Sequence, residues 1–496
     1  MSKKQLQTNN TNFRNNLLSS IKGLPVQQKA DIDNSVIKEY FAFDSDVYAG
    51  KFVGMKYEAS TSKTSYSNIQ NSQYNSGVAD VLVLNETTTI VAYYMTKVLY
   101  LIPFSEINGT PTVGTPLTIF GYAAYDEFPL VNMKKIDDNR FMMVYGLSLQ
   151  SGENYVGIAH MQAFKLADTK LSLTAGNAMR LLTDTKQFGS ASTSTLWTSG
   201  HIEQIAEDKF FLVGGCNYYD SYNGSTQNKK VWYMLVSLSD VTITALTNSA
   251  YVEVASYAFA CLPHKISDTE VMVWVQSSSC IYPVKFTLNS ALTAVNSTLM
   301  LPLINCGGTQ NANAKGYRLD DGSYMLFRSV DGSSTSYYVS NLEAVNLRYD
   351  HDTGVATASP AVGLLFKTRS SSFGRSHNFT ICKDSNGLYY ISSGLECDIC
   401  TESGGAIVPL FNPLPLLTTL RMHLNMKFYA GVIPVGSQAL ALTFYEQSYI
   451  YYFIYGVIDK VKSGVAPSAE CPFKNVVGVT KSLCTSSVKG EVRTLA

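Results

Sequence analysis

Leu84-Asn-Glu-Thr-Thr-Thr-Ile-Val-Ala-Tyr93, Ile136-Asp-Asp-Asn-Arg-Phe-Met-Met-Val-Tyr145 and Leu319-Asp-Asp-Gly-Ser-Tyr-Met-Leu-Phe327 repeat one pattern. Each ends a strand on an apolar residue, turns on Asn, Asp, Gly, Ser or Thr, and enters a second, more apolar strand. Those turn residues reverse a chain because they bond their own backbone or tolerate a left-handed conformation. Four more copies start at Ile205, Ile266, Cys382 and Val435, so the seven units are 52, 69, 61, 53, 63 and 53 residues apart. That period is too long for a helical solenoid unit and suits a four-stranded propeller blade with its loops.

The segments after each hairpin fit the remaining strands of a blade. Third strands are expected at 98–104, 156–164, 230–238, 280–288, 337–347, 406–411 and 450–458. Fourth strands are expected at 116–120, 179–183, 251–255, 299–303, 362–366 and 416–420. The seventh unit runs into Gly464-Val-Ala-Pro-Ser-Ala-Glu-Cys-Pro472 and lacks a fourth strand. Part of 60–75 is expected to fill that place and cover the free edge. The fold class is therefore all-β: a seven-bladed β-propeller, residues 61–464, inserted into a small β domain formed by both chain ends. That domain is expected over 31–60 plus 465–496, behind a flexible, Asn-rich arm at 1–30.

Composition narrows the partners. The 496 residues carry 38 Lys+Arg against 38 Asp+Glu, and only 15% are charged, so no broad basic face for a phosphate backbone is expected, and nucleic acid is not an expected partner. Two lysines near the start have no apolar run behind them, which argues against a secretory leader, and the apolar stretch 450–458 is too short to cross a bilayer as a helix. Nine scattered cysteines fit buried small hydrophobes better than a disulfide framework.

Near the start stands Val47-Tyr48-Ala49-Gly50, and near the end Val476-Val477-Gly478-Val479 and Gly490-Glu491-Val492-Arg493. Together these resemble a small β domain common in tailed-phage virion proteins, whose marks are an A-G-D-x-V turn and a closing V-x-G-V-A…G-D-x-V-x-V hairpin. Lys51 stands where the family has an acidic residue, and Ser487-Val488-Lys489 where it has Ala-Gly. The resemblance covers about 40 residues. It implies a virion structural protein of the tail, fibre or head-appendage type, located in the particle. It also implies other virion proteins and copies of itself as partners, and no membrane insertion.

Chemistry is hard to find. Asp137-Asp138 and Asp320-Asp321 look like paired carboxylates for glycoside cleavage, but they sit at the repeat's turn, where Asn, Glu and Ser stand in other copies, so they are read as turn formers. Cys397-Asp-Ile-Cys400 has no second pair and no histidine at metal spacing. Asp350-His-Asp352-Thr-Gly354 lacks the rest of a calcium loop. No Gly-x-Ser-x-Gly, His-Glu-x-x-His or phosphate loop occurs. No catalytic residue, cofactor or metal is expected. The binding candidates are Tyr218, Tyr219, Asp220, Tyr222 and Asn223, in an insertion whose Tyr, Ser, Asn and Gly make an adaptable recognition surface, with aromatic faces suited to sugar rings. The expectation is a non-enzymatic particle protein with host-surface or glycan contact. The alternative is a propeller-type polysaccharide depolymerase, a glycoside hydrolase or lyase. A bacterial propeller scaffold unrelated to phage is a third reading.

Overall fold

The computed structural model describes residues 37–40, 42, 46–59, 66–72, 76–95, 98–121, 130–151, 154–181, 197–218, 228–254, 260–277, 280–306, 310–319, 321–331, 339–360, 362–369, 379–393, 396–403, 406–411, 428–447, 450–458, 461–467, 478–480, 482–485 and 490–494. No helix occurs among them, and the elements are short antiparallel strands. The chain divides into two compact units, 1–60 with 460–496, and 61–459. The arm expected at 1–30 lies outside the described residues.

The larger unit is a β-propeller arrangement of small sheets. Six lie in chain order at 76–121, 130–180, 197–253, 260–305, 310–369 and 379–411, here called blades 1 to 6, each a meander of adjacent strands. The second strand of a blade is buried on both faces because a neighbouring blade covers each one, and so these strands read as nearly continuous apolar runs. Thr88–Met95 is buried throughout. Alternation along the strand sends side chains to opposite neighbours. Phe141, Met143 and Tyr145 pack with Leu84, Ile90 and Leu99 of blade 1, while Met142 and Val144 pack with Phe210, Leu212 and Trp232 of blade 3. Phe211 and Val213 turn the other way, onto Val271, Val273 and Phe286 of blade 4. A single blade cannot bury its own core, so the stack must close on itself.

The fourth strand of blades 1 to 5 differs from expectation: it is two collinear pieces. In blade 1 the third strand, Val98–Ile107, pairs with Thr110–Val113 along one half and Leu117–Gly121 along the other. A backbone bond marks the break in each case: Gly114 N to Pro103 O, Gly176 N to Ala163 O, Leu246 N to Leu235 O, Leu301 N to Pro283 O and Ser359 N to Asn346 O. The break lets the edge touch the next blade. Thr115 N donates to Leu171 O at 2.7 Å, and Asn177 exchanges two bonds with Ile243.

The expectation of seven blades around the axis is corrected. Six first strands enclose the central cavity: Ser76–Asn85, Leu130–Lys135, Trp197–Ala206, Ala260–Lys265, Gln310–Arg318 and Phe379–Lys383. The seventh sheet has Phe428–Val435 as its first strand, which lies outside this lining against blades 1 and 6. The reason is local. Lys315 of blade 5 is paired with Asp80 of blade 1 and reaches Ile381 O of blade 6, and Tyr317 Oη donates to Ile381 O at 2.7 Å. These bonds draw blades 5, 6 and 1 together at the axis and leave no gap for a seventh strand. The seventh sheet is instead tied outside it: Thr89 Oγ1 donates to Pro434 O, Val432 N donates to Ser392 Oγ, and Ser437 donates twice to Glu106 at 2.6 Å. Its outer strand is Tyr66–Ser72, paired with Ile450–Ile458, inside the segment expected to supply it.

In the smaller unit the sheet order, by residue number, is 37–40, 490–494, 478–480, 52–59, 461–467. The last strand falls in the stretch expected to break the seventh repeat; it is a strand, but of this sheet. Ala42, Val47, Val53, Cys484 and Val492 form the core. Thr480 fastens the turn before the sheet: its Oγ1 donates to Tyr48 O at 2.7 Å and accepts from Lys51 N, while Gly50, at φ 83°, donates to Thr480 O. The left-handed backbone at that point is why glycine stands there.

Candidate functional site

The first strands all run from one end of the propeller to the other, so their last residues meet at one end of the cavity. Four frame bonds fix the equivalence: Ile136 N to Arg140 O, Ile266 N to Glu270 O, Leu319 N to Ser323 O and Asp384 N to Leu388 O. In the sixth repeat Asp384, rather than Cys382, therefore takes the place of Ile136, a shift of two residues. In this frame the residue just before the turn is Lys135, Lys265, Arg318 or Lys383 in blades 2, 4, 5 and 6. Four residues before the frame position stand Asp80, Asn132, His201, Leu262, Lys315 and Thr380, at one depth.

The cavity is about 240 Å³. Among the residues that line it are five cations, Lys134, Lys135, Lys315, Arg318 and Lys383, and one carboxylate, Glu203, with His201 deeper inside. Glu203 holds Lys134 at 2.8 Å and accepts from Lys265 N. Lys135 pairs with Asp138 at 2.7 Å, and Lys383 stands over the Tyr389 ring at 5.0 Å. Arg318 is exposed at the mouth, and its guanidinium has no hydrogen bond or ion pair among the described residues.

Asp80 is buried and engaged from three sides, by Val81 N and Met133 N at 2.7 Å each and by Lys315. Burial raises its carboxyl above the usual range despite that company. His201 Nε2 lies 3.4 Å from Ala314 O, and Nδ1 is buried without a partner. Burial foremost, with the Lys315 charge beside it, pushes this ring down to about 4. His264 stacks on Tyr324 at 5.0 Å with both ring nitrogens unpartnered, and burial, opposed by Glu203, brings it down to about 4. Burial lifts Tyr317 and Tyr324 well above the phenol range. The site is thus a cation-rich cup with a neutral imidazole at its base, suited to holding an anion.

Of the residues singled out from sequence, Tyr218 is not among the described residues that line this cavity. Tyr218 ends the strand Lys209–Tyr218, its backbone opposite Asn228. Tyr219, Asp220, Tyr222 and Asn223 lie outside the described residues. The turn reading of the aspartates is supported. Asp137 Oδ1 accepts from Asn139 N and Arg140 N, Asp321 Oδ1 from Ser323 N, and Asp384 Oδ1 from Asn386 N and Leu388 N. Asp320 lies outside the described residues. Asp350 closes a turn in the same way, accepting from Asp352 N and Thr353 N. Cys400 is buried in the core between blades 5 and 6, and no cluster of three metal-ligating side chains occurs among the described residues. Sequence reasoning missed the cavity, although a signal existed: the Lys/Arg column directly before the turn.

No protein-family model matches this chain, and no curated protein does. Solved structures similar to it include a protein from Lactobacillus plantarum, 10% identical with a TM-score of 0.40, covering 68% of this chain and 84% of that one. An endo-arabinase from Bacteroides thetaiotaomicron VPI-5482 is 13% identical with a TM-score of 0.27, covering 54% and 89%. Kluyveromyces lactis Hsv2 is 10% identical with a TM-score of 0.28, covering 68% and 97%. At these scores the likenesses bear on neither activity nor ligand.

Proposed function

We propose that this chain is a non-enzymatic structural protein of a tailed-phage particle. It docks through the sheet its two ends build, and it presents the propeller to neighbouring copies or to host-surface glycan. The observation that carries this reading is the interlacing of 37–59 with 461–494 in one sheet, clasped by reciprocal backbone bonds between Val47 and Cys484. A module closed by both ends can fold independently of what is inserted between its halves, which suits a docking unit. Tyr48 and Leu483 flank the Val47–Cys484 bridge and are 64% and 43% exposed, an apolar pair placed for contact with a neighbour.

The seventh sheet stays outside the six-strand lining, tied to blades 1 and 6, and its outer strand is Tyr66–Ser72. Glycan contact is assigned to the segment carrying Tyr218, Tyr219, Asp220, Tyr222 and Asn223. The glycoside-hydrolase form of the alternative gains no support from the cavity, because among the described residues of its lining Glu203 is the lone carboxylate and Lys134 engages it, whereas glycoside hydrolysis uses two. Particles banded in a density gradient and probed with an antibody to the chain test the proposal. The chain is expected in the particle band. Its presence only at the top of the gradient, as free protein, overturns the proposal.

A further inference from the structure

The central cavity is electrostatically unbalanced. Of its five lining cations, Lys134 is answered by Glu203, Lys135 by Asp138 and Lys315 by Asp80, which leaves Arg318 and Lys383 without an ion pair among the described residues, although Lys383 feels the Asp384 carboxyl and stands over the Tyr389 ring. An anion entering the mouth would meet the unpaired Arg318 and a Lys383 only partly offset, on walls of low dielectric, where their pull is stronger than in open water.

His201 adds a second, independent requirement. Ala314 O can only accept, so Nε2 carries the ring's hydrogen, and in the neutral ring Nδ1 offers a lone pair. That atom is buried, without a partner, on a residue that is 8% exposed and lines the cavity. Within the cavity, a ligand hydroxyl can supply the donor that this acceptor lacks among the described residues. A ligand with an anion at the mouth and a hydroxyl at the base answers both features.

Size narrows it further. The cavity lies below the range of about 300–1,000 Å³ usual for drug-sized ligands, so it admits one small molecule. His201 stands three residues deeper than Arg318 and Lys383 in the repeat frame, about 10 Å at the rise of a strand. A single pyranose ring with its carboxylate spans most of that depth, and the flexible Arg and Lys side chains span the rest.

We propose that the cavity enclosed by the six first strands binds a small hydroxylated carboxylate of the uronic-acid class, its carboxylate met by Arg318 and Lys383 and one hydroxyl donating to His201 Nδ1. This goes beyond the docking reading and stands apart from it, since particle association can fail while the sugar acid binds, and the reverse.

Titration calorimetry on the full chain tests it with glucuronate, galacturonate, methyl glucoside and inorganic phosphate as separate probes. A uronate is expected to bind saturably, with methyl glucoside at least tenfold weaker. Arg318→Gln with Lys383→Gln is expected to weaken the uronate at least tenfold. His201→Phe is expected to weaken the uronate severalfold and leave phosphate unchanged. Near-UV circular dichroism of each variant must match the parent, and for any variant that fails this test, Arg318→Met with Lys383→Met and His201→Leu are the replacements to be read. Four outcomes overturn the proposal: no uronate binding, equal binding of the neutral sugar, phosphate binding that matches the uronate, or indifference of the uronate to Arg318 and Lys383.

Discussion

Asp80 and Lys315 join blade 1 to blade 5 across the propeller axis, and their separation can be tested by a double-mutant cycle. The Asp80 side chain is fully buried and that of Lys315 is 12% exposed. Replacing Asp80 with Asn leaves the Lys315 ammonium in the interior without a counter-charge, and turns one side-chain atom into a donor facing either Met133 N or Lys315. Breaking a buried pair in this way costs about 3–5 kcal/mol. Lys315→Met leaves the carboxylate with only the Val81 and Met133 amides, at a similar cost. The double variant removes both charges. Because burial already outweighs the Lys315 attraction at Asp80, the pair adds little net stability, and the double variant should lie within about 1–2 kcal/mol of the parent. The coupling energy is then at least about 4 kcal/mol. Guanidinium unfolding followed by tryptophan fluorescence reads this well, because Trp232 and Trp274 are fully buried in blades 3 and 4. Single variants costing under about 1 kcal/mol, or effects that simply add, would refute the cross-axis strut.

His201 and His264 are held down to about 4, below the usual 6.5, so the unfolded chain takes up protons that the folded one refuses. Stability is intact above about pH 6.5 and should fall toward pH 4 by about 3 kcal/mol per histidine, which a series of urea midpoints checks. Asp384, whose carboxyl burial pushes up to about 6, acts in the opposite sense and returns part of the loss as pH drops through that value. The double variant His201→Asn, His264→Phe should flatten the curve, and a flat parent curve contradicts the assignment. A methyl group at Gly176 would run into the Val241 carbonyl of the next blade, whereas at Gly322 it meets open space and only the left-handed backbone, φ 81°, is strained. Gly176→Ala should therefore cost about 2–3 kcal/mol and Gly322→Ala about 1, as thermal unfolding will show. Tyr48→Ser with Leu483→Ser should leave the melting temperature nearly unchanged and weaken particle association at least tenfold in a sedimentation assay, because both side chains are exposed.

Much of the architecture was legible because the second strands are buried on both faces and the turns between first and second strands use side-chain-to-backbone bonds. Those two constraints leave apolar runs and Asp/Asn punctuation in plain sight, as at Phe141–Tyr145 and Asp137. The strand from 66–72 could be anticipated because a sheet edge demands cover. Other features were hidden for physical reasons. The sixth repeat slipped by two residues because its frame position is Asp384, a polar residue where the others are apolar. The six-strand lining depends on Asp80 and Lys315, 235 residues apart, which no local pattern links. The strand 461–467 reads as a break because its Gly and Pro belong to an edge of the terminal sheet rather than to a blade interior. The cavity's charge emerges only when Lys135, Arg318 and Lys383 are seen as one column rather than three isolated cations.

Cryo-electron microscopy of assembled particles, with this chain traced in the density, tests the central claim most directly. The account predicts that the sheet formed by 37–40, 52–59, 461–467, 478–480 and 490–494 contacts neighbouring particle proteins through the flanking Tyr48 and Leu483, with the propeller exposed. Particles without the chain, or with that sheet facing solvent and making no contact, would contradict it.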